Sequence, residues 1–388
     1  MKKLLAIFMA VAMLLGLTAC GAGGNSDDVK VGFICLHDEK STYDLNFLNG
    51  VEEVKKTLGL TDEQVIVKTN IPEGDECYQA AADLVDQGCN IVFANSFGHE
   101  DFMIKAAKEF KDVQFCHATG TKAHTEGLDN YHNAFASIYE GRYLAGVAAG
   151  LKIKEMIDAG KITKDQAKMG YVGAFTYAEV ISGFSSFYLG AKSIVPEVTM
   201  DVQFTGSWYD PVEEKNAAEA LIARKCVLIS QHADSMGAPS ACEDAKIPNV
   251  SYNGSTKDAC PNTYIVSSRI NWAPYYKYMI ECVKEGKAID ADWCGGIDAG
   301  SVVLTEVNET AAAAGTAAKL EEVTKGLKDG TINVFDTANF TVEGKKVESH
   351  KVEEKEVIEN GIFKESKVMS APYFDLKIDG ITRLNEKF

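Results

Sequence analysis

Positive charge is scarce in this sequence: 39 Lys and Arg stand against 56 Asp and Glu in 388 residues, a formal net charge of −17. So acidic a chain has no basic surface to neutralise phosphates, which excludes nucleic acid as a partner. The charge favours solubility and says nothing about a ligand. Beyond the N-terminus no uninterrupted apolar run reaches the roughly 20 residues needed to span a bilayer. G-x-S-x-G, H-E-x-x-H, G-x-G-x-x-G and P-loop signatures are all missing, which removes the sequence evidence for several large enzyme classes. The ten cysteines show neither C-x-x-C spacing nor a clustered His, and a zinc site needs paired ligands. No metal or cofactor is therefore expected. His37-Asp38-Glu39 and His99-Glu100-Asp101 look like acid–base clusters, but consecutive side chains point apart, whereas proton transfer needs groups converging on one atom.

What is present begins with a targeting segment. Lys2 and Lys3 precede an apolar run from Leu4 to Leu17, short for a membrane span and suited to a signal peptide. The run ends in Leu17-Thr18-Ala19-Cys20, followed by Gly-Ala-Gly-Gly-Asn-Ser, an arrangement that resembles the bacterial lipobox. The expectation is a signal peptide over 1–19, an acylated Cys20 and a linker over 20–28. That places the protein on the extracytoplasmic face of the cell membrane, held by a lipid anchor. Two or more acyl chains anchor stably where one is marginal. An ordinary signal peptide ending near a cysteine is the plainer alternative. Nine cysteines then remain, and Cys35, Cys89, Cys116 and Cys226 lie in or beside apolar, strand-like runs. Buried free thiols are expected there, since disulfide frameworks belong to small secreted domains.

From Val29 short apolar runs alternate with amphipathic stretches. Strands are expected at 29–36, 64–71, 90–96 and 113–119, with helices at 45–59, 76–88 and 102–110 between them. Such alternation means a parallel sheet covered on both faces. After a long helix at 139–157 the pattern restarts, with strands at 169–175, 198–207, 226–232 and 249–254. Two series of this kind predict an α/β protein of two doubly wound parallel-sheet lobes joined by a hinge. The first lobe is expected to hold 29–135 plus about 256–292, and the second 136–255 plus about 293–388. The charged stretch 342–361 reads as a solvated hairpin or strap.

Ligands of open α/β sheets bind beyond the carboxyl ends of the strands, so a site is expected in the cleft. The loops that matter are then 37–47, 95–101, 117–124, 174–179, 205–211, 231–237 and 252–258. Tyr43 offers a flat face and a hydroxyl, with Asp44 and Asn46 as polar neighbours that could equally cap a helix. Trp208, after Gly206-Ser207 and before Pro211, is poorly placed for a core and suits a platform for a flat ligand. Asp234 opens a helix and could cap it or accept from a ligand. Asn253 and Ser255 lie in a further polar loop, and Arg269 and Trp272 follow near the crossover. For this last pair a structural salt bridge and a core aromatic are the competing roles.

Several strings carry a family resemblance. They are HATGT (117–121), YEGRYLAGVAAG (139–150), GSWYDPVEEKNAAEALI (206–222), QHADS (231–235), the segment from VSYNG to SSRINWAPYY (250–276), and GGIDAG (295–300). In order and spacing the chain resembles the basic membrane protein family of bacterial substrate-binding lipoproteins, whose best-known members bind purine nucleosides. The resemblance implies a periplasmic-binding-protein type I fold, an ABC permease as partner, a monomer, and a purine nucleoside or base as ligand. It implies that Tyr43 and Trp208 sandwich the ring, and that Asp44, Asn46 and Asp234 read its polar edge. Many relatives carry an acidic residue in the loop occupied here by Asn253-Gly254-Ser255, and this chain has none before Asp258. A free base or another flat polar metabolite therefore stays open as ligand. A secreted nucleoside-processing enzyme and a sensory or adhesive surface lipoprotein are the rival readings.

Overall fold

A computed structural model describes residues 29–387. The expected signal peptide, Cys20 and linker lie outside them.

The first lobe is a six-stranded sheet. Its strands are β1 (Val31–Ile34), β2 (Val65–Lys68), β3 (Ile91–Ala94), β4 (Gln114–Ala118), β5 (Tyr131–Ala136) and, far along the chain, β11 (Asp292–Gly295). They run β11-β5-β4-β3-β1-β2 and every pairing is parallel. The second lobe holds β6 (Lys168–Gly173), β7 (Thr199–Phe204), β8 (Leu228–His232), β9 (Asn249–Tyr252), β10 (Tyr264–Ile270) and β12 (Val302–Leu304). With the terminal strand Ile381–Arg383 they run β12-β10-β9-β8-β6-β7-terminal, antiparallel only between β10 and β12. β1, β3, β5, β8 and β9 are buried throughout, as strands covered by helices on both faces must be.

The chain returns to the first lobe later than expected. β10 lies within 256–292, expected in the first lobe, yet it pairs with β9 in the second sheet. Only α9 (Ala273–Lys284), whose Trp272 cap stacks on Phe47 of α1 (Thr42–Leu58), and β11 go back. The run YIVSSRI is apolar enough to be buried in either sheet, so its pattern alone does not choose one. The backbone crosses between lobes at Ser137, at Asn271–Trp272 and over Gly296–Ser301. These crossings are laced together: Ser137 N–H donates to the Gly295 carbonyl at 2.9 Å and Asn271 N–H to Ser301 at 2.8 Å.

The second lobe is held by two glycine-rich helices, α5 (Ile138–Asp158) and α6 (Ala178–Lys192). A Cβ at Gly146 would sit 2.0 Å from the Phe187 carbonyl oxygen, and one at Gly190 2.1 Å from that of Tyr143. Only hydrogen fits at that crossing, because both obstacles are backbone. Arg142 of α5 is fully buried beneath the ends of β8, β9 and β10. It donates to Ser230 Oγ at 2.7 Å, Tyr171 Oη at 3.2 Å, the Ser251 carbonyl at 3.2 Å and Ser268 Oγ at 3.3 Å. The nine described cysteines are thiols, eight buried and Cys294 half-buried.

The charged stretch 342–361 contains a short antiparallel hairpin, Lys351–Val352 against Lys355–Glu356. The strap continues inward beyond it, burying Val357, Phe363, Glu365 and Phe374 and donating twice from Ser370 to Asp292 of β11 at 2.8 Å.

Candidate ligand cleft

Each sheet reverses its strand order at one point, between β1 and β3 in the first lobe and between β6 and β8 in the second. The loops leaving these four strands diverge there and open a crevice, the usual ligand position in such sheets. The two crevices face each other and enclose a narrow slot, whose empty space counted together with the solvent at its mouth is about 400 Å³. Leu36, His37, Tyr43, Asp44, Ser96, Phe97 and Thr119 line it from the first lobe, and Glu179, Trp208, His232, Asp234 and Tyr252 from the second.

Local chemistry explains how these side chains are presented. Ser41 caps α1, its hydroxyl accepting from Asp44 N–H at 3.2 Å, which turns Tyr43 and Asp44 to the slot. Tyr43 rests edge-on against Phe47 at 4.8 Å and donates its hydroxyl to the Asn95 carbonyl at 2.7 Å. Asp44 accepts from Asn95 Nδ2 at 2.7 Å and His37 N–H at 3.1 Å. In the GSWYDP string Gly206 takes φ 78°, Asp210 caps the helix from Pro211 by accepting from Val212 and Glu213 N–H at 3.0 Å, and Trp208 is left between them. Trp208 meets Phe175 at 5.0 Å and Tyr177 at 6.0 Å. Thr119 holds φ 67°, a strained conformation for a β-branched residue of the kind that concentrates at functional sites.

The electrostatics are one-sided. Three carboxylates line the slot and no Lys or Arg does. Asp234 is held well above the usual carboxylate range by burial first, then by the charges of Glu214 and Asp44. His232 lies 3.5 Å from Glu179 with neither ring nitrogen hydrogen-bonded. Burial lowers its pKa, Arg142 adds to this and Glu179 opposes it. The slot thus offers the carboxyl oxygens of Asp44 and Glu179, a buried Asp234 whose proton is held more tightly than usual, and a neutral imidazole, a lining for a ligand edge that carries N–H or O–H donors. Among the described residues no cluster suits a metal ion.

Four of the eight candidate residues, Tyr43, Asp44, Trp208 and Asp234, line the slot. Asn46 and Asn253 instead bond to each other across the lobes. Asn46 Nδ2 donates to Asn253 Oδ1 at 3.3 Å, and Asn253 Nδ2 to Asp234 Oδ1 at 3.1 Å. Ser255 is exposed beside Lys257, whose N–H it accepts at 3.4 Å. Arg269 sits half-buried on β10, drawn to Glu53 of α1, and Trp272 is core. His37, Ser96, Phe97, Thr119, Glu179, His232 and Tyr252 were not singled out as ligand residues. Each falls within one of the loops expected to border the cleft or at its end.

Glu214 fixes the Asp234 loop from behind, accepting from Asp210 N–H at 3.1 Å and from Ser235 N–H at 3.2 Å. Burial raises its pKa from 4.5 to about 7, against the pull of those hydrogen bonds. Between these two values the folded protein keeps a proton that the unfolded chain has lost. Its contribution to stability therefore falls as pH rises through that window and stays low above it. Glu214→Gln, which keeps an acceptor without the charge, is expected to flatten this part of the stability profile. Urea midpoints measured from pH 4 to 8 check it, and a variant slope equal to the wild-type slope would refute it.

Comparison with known proteins agrees with this architecture. The family model for PnrA-like ABC transporter substrate-binding proteins (Bmp) matches residues 35–329. The chain is 31% identical over 331 residues to a purine-binding protein of Brucella abortus (strain 2308), covering 84% of this chain and 89% of that one. It is 27% identical over 261 residues to the ABC transporter nucleoside-binding protein BmpA of Lactococcus lactis, covering 64% and 68%. In fold it is similar to an ABC transporter solute-binding protein from Conexibacter woesei, with a TM-score of 0.64 at 17% identity, over 79% of this chain and 98% of that one. The chain belongs to the PnrA-like family of ABC transporter substrate-binding proteins. Such proteins work outside the cytoplasm, and among the described residues no helix is long and apolar enough to cross a membrane.

Proposed function

We propose, with that membership as premise, that this chain holds a purine nucleoside or a related flat, donor-rich metabolite between its lobes and delivers it unaltered to an ABC permease. The observation that carries the reading is the slot itself, bordered by Tyr43 and Trp208 and walled by Asp44, Glu179 and Asp234 without a cation. Aromatic faces take any purine ring, at about 1–3 kcal/mol per stacked base. Buried acceptors favour ligands that supply donors, because an unmet polar group costs binding. The Brucella and Lactococcus relatives, named for purine and nucleoside binding, support the same class.

Calorimetric titration with inosine, guanosine, adenosine, hypoxanthine and D-glucose tests the reading, and saturable binding of a purine is the expected result. Binding of glucose alone would overturn it. Inosine 5′-monophosphate is expected to bind at least about 10-fold more weakly than inosine, since its charge would meet carboxylates with no counter-ion. Equal affinity would remove the electrostatic part of the argument. Prolonged incubation should return inosine intact, and release of hypoxanthine would make the protein an enzyme.

The same reading has Cys20 acylated, the mature chain monomeric and its lobes tethered outside the membrane by the segment 20–28. Cys20→Ala is then expected to leave the folded lobes intact and to move the protein into the aqueous phase on detergent partitioning. A variant that still enters the detergent phase would refute the anchor.

A further inference from the structure

Two of the four large hydrophobic side chains most exposed among the described residues, Phe97 at 38% and Tyr177 at 39%, are stacked on each other. Their centroids lie 5.2 Å apart at an interplanar angle of 29°. Phe97 leaves β3 of the first lobe and Tyr177 leaves β6 of the second, so the stack spans the cleft beside the slot. We propose that Phe97 and Tyr177 form an aromatic latch between the lobes that sets how long a bound ligand is retained, whatever polar groups the ligand carries.

Both halves are braced. On the first side Glu73 accepts from Ser96 Oγ at 2.6 Å and from Gly98 N–H at 2.8 Å, and the His99 ring meets the Ile71 carbonyl at 3.0 Å. These bonds hold the short turn that carries Phe97. On the second side Tyr177 lies flat on Phe175, at 4.9 Å and 10°, and its carbonyl accepts from Val180 and Ile181 N–H of α6 at 3.0 Å. Parting the lobes would separate two rings already more than one-third exposed and wet their touching faces. A contact made in one state and absent in the other shifts the population toward the first. Opening must break it, so its loss is expected in the dissociation rate more than in the association rate. Phe97 also lines the slot, whereas Tyr177 does not and meets it only through an oblique contact with Trp208, so Tyr177 is the more direct reporter of the latch.

Stopped-flow release of inosine provides the test, the purine reading serving only to choose the probe. Tyr177→Ala is expected to speed release about 2- to 12-fold, the range of an aromatic pair, with a smaller effect on association, and Phe97→Ala to speed it at least as much, since Phe97 also lines the slot. The double variant should release no faster than the faster single, because one contact is lost either way. Tyr177→Phe should keep the wild-type rate, since the ring makes the contact. Unchanged release by Tyr177→Ala, multiplied rates in the double variant, or fast release by Tyr177→Phe would each overturn the latch. If wild type does not bind inosine, that failure counts against the purine reading. The latch is then decided by hydrogen exchange in the ligand-free protein. Tyr177→Ala, a change in the second lobe, should accelerate exchange in 96–99 of the first, and unaltered exchange there overturns the proposal.

Discussion

Trp208→Ala is expected to weaken purine nucleoside binding about 5- to 150-fold while lowering the melting temperature of the ligand-free protein only slightly. The affinity range corresponds to one base–aromatic stack of about 1–3 kcal/mol. The structural reason lies in what Trp208 touches. It is half-buried, meets Phe175 edge-on and Tyr177 obliquely, and turns its remaining surface to the slot. A side chain so placed gives up little packing when removed, unlike Trp272, which is 1% exposed and stacks on Phe47 at 4.4 Å. Stacking does not read base edges, so inosine, guanosine and adenosine should lose affinity by similar factors. Calorimetry beside thermal melts separates the possibilities. Full affinity with a large drop in apo stability would make Trp208 a packing residue and remove the ring platform.

Arg142→Ala should cost about 3–5 kcal/mol of stability, for the opposite reason. The guanidinium is 0% exposed, and its partners are hydroxyls, carbonyls and ring faces. Removing it strands buried acceptors, each worth about 1–3 kcal/mol when left unmet, and opens a cavity whose walls are close-packed. Those walls include β8 and β9, the strands that carry His232 and Tyr252 to the slot. Loss of affinity should therefore accompany loss of stability, whereas Trp208→Ala separates the two. Urea unfolding checks the magnitude, and an unfolding free energy within about 0.5 kcal/mol of wild type would mean that the buried cation is dispensable.

The sequence shows where the site is more clearly than which residues form it. Strand ends are visible because buried parallel strands are apolar runs closed by polar loops, and apart from Leu36 the slot is lined from the loops so identified. Within a loop the backbone decides which side chain faces inward. Asn253 at φ 64° and Thr119 at φ 67° show how far that backbone departs from a regular path. Asn253 was expected to read the ligand and instead spans Asn46 and Asp234, while Thr119, not singled out, lines the slot. Glu179 and His232 went unrecognised because a helix-start acid and a strand-end imidazole are ordinary in isolation. Their meaning comes from a 3.5 Å approach between segments far apart in the chain. Nothing in the sequence of β10 chooses its lobe, because both sheets ask for the same kind of strand.

The placement of β11 also governs how the chain comes to be folded. The first sheet ends on a strand synthesised only after five strands of the second lobe, and until then β5 offers an open edge with hydrogen-bonding groups unmet. Neither half can finish alone: the first waits for residues 292–295, and the second for 302–304 and 381–383. A protein assembled from such distant pairings folds slowly, and its native state is out of reach while the C-terminal part is still to emerge. In a family whose members work outside the cytoplasm, such a delay would leave the polypeptide unfolded for longer before it crosses the membrane.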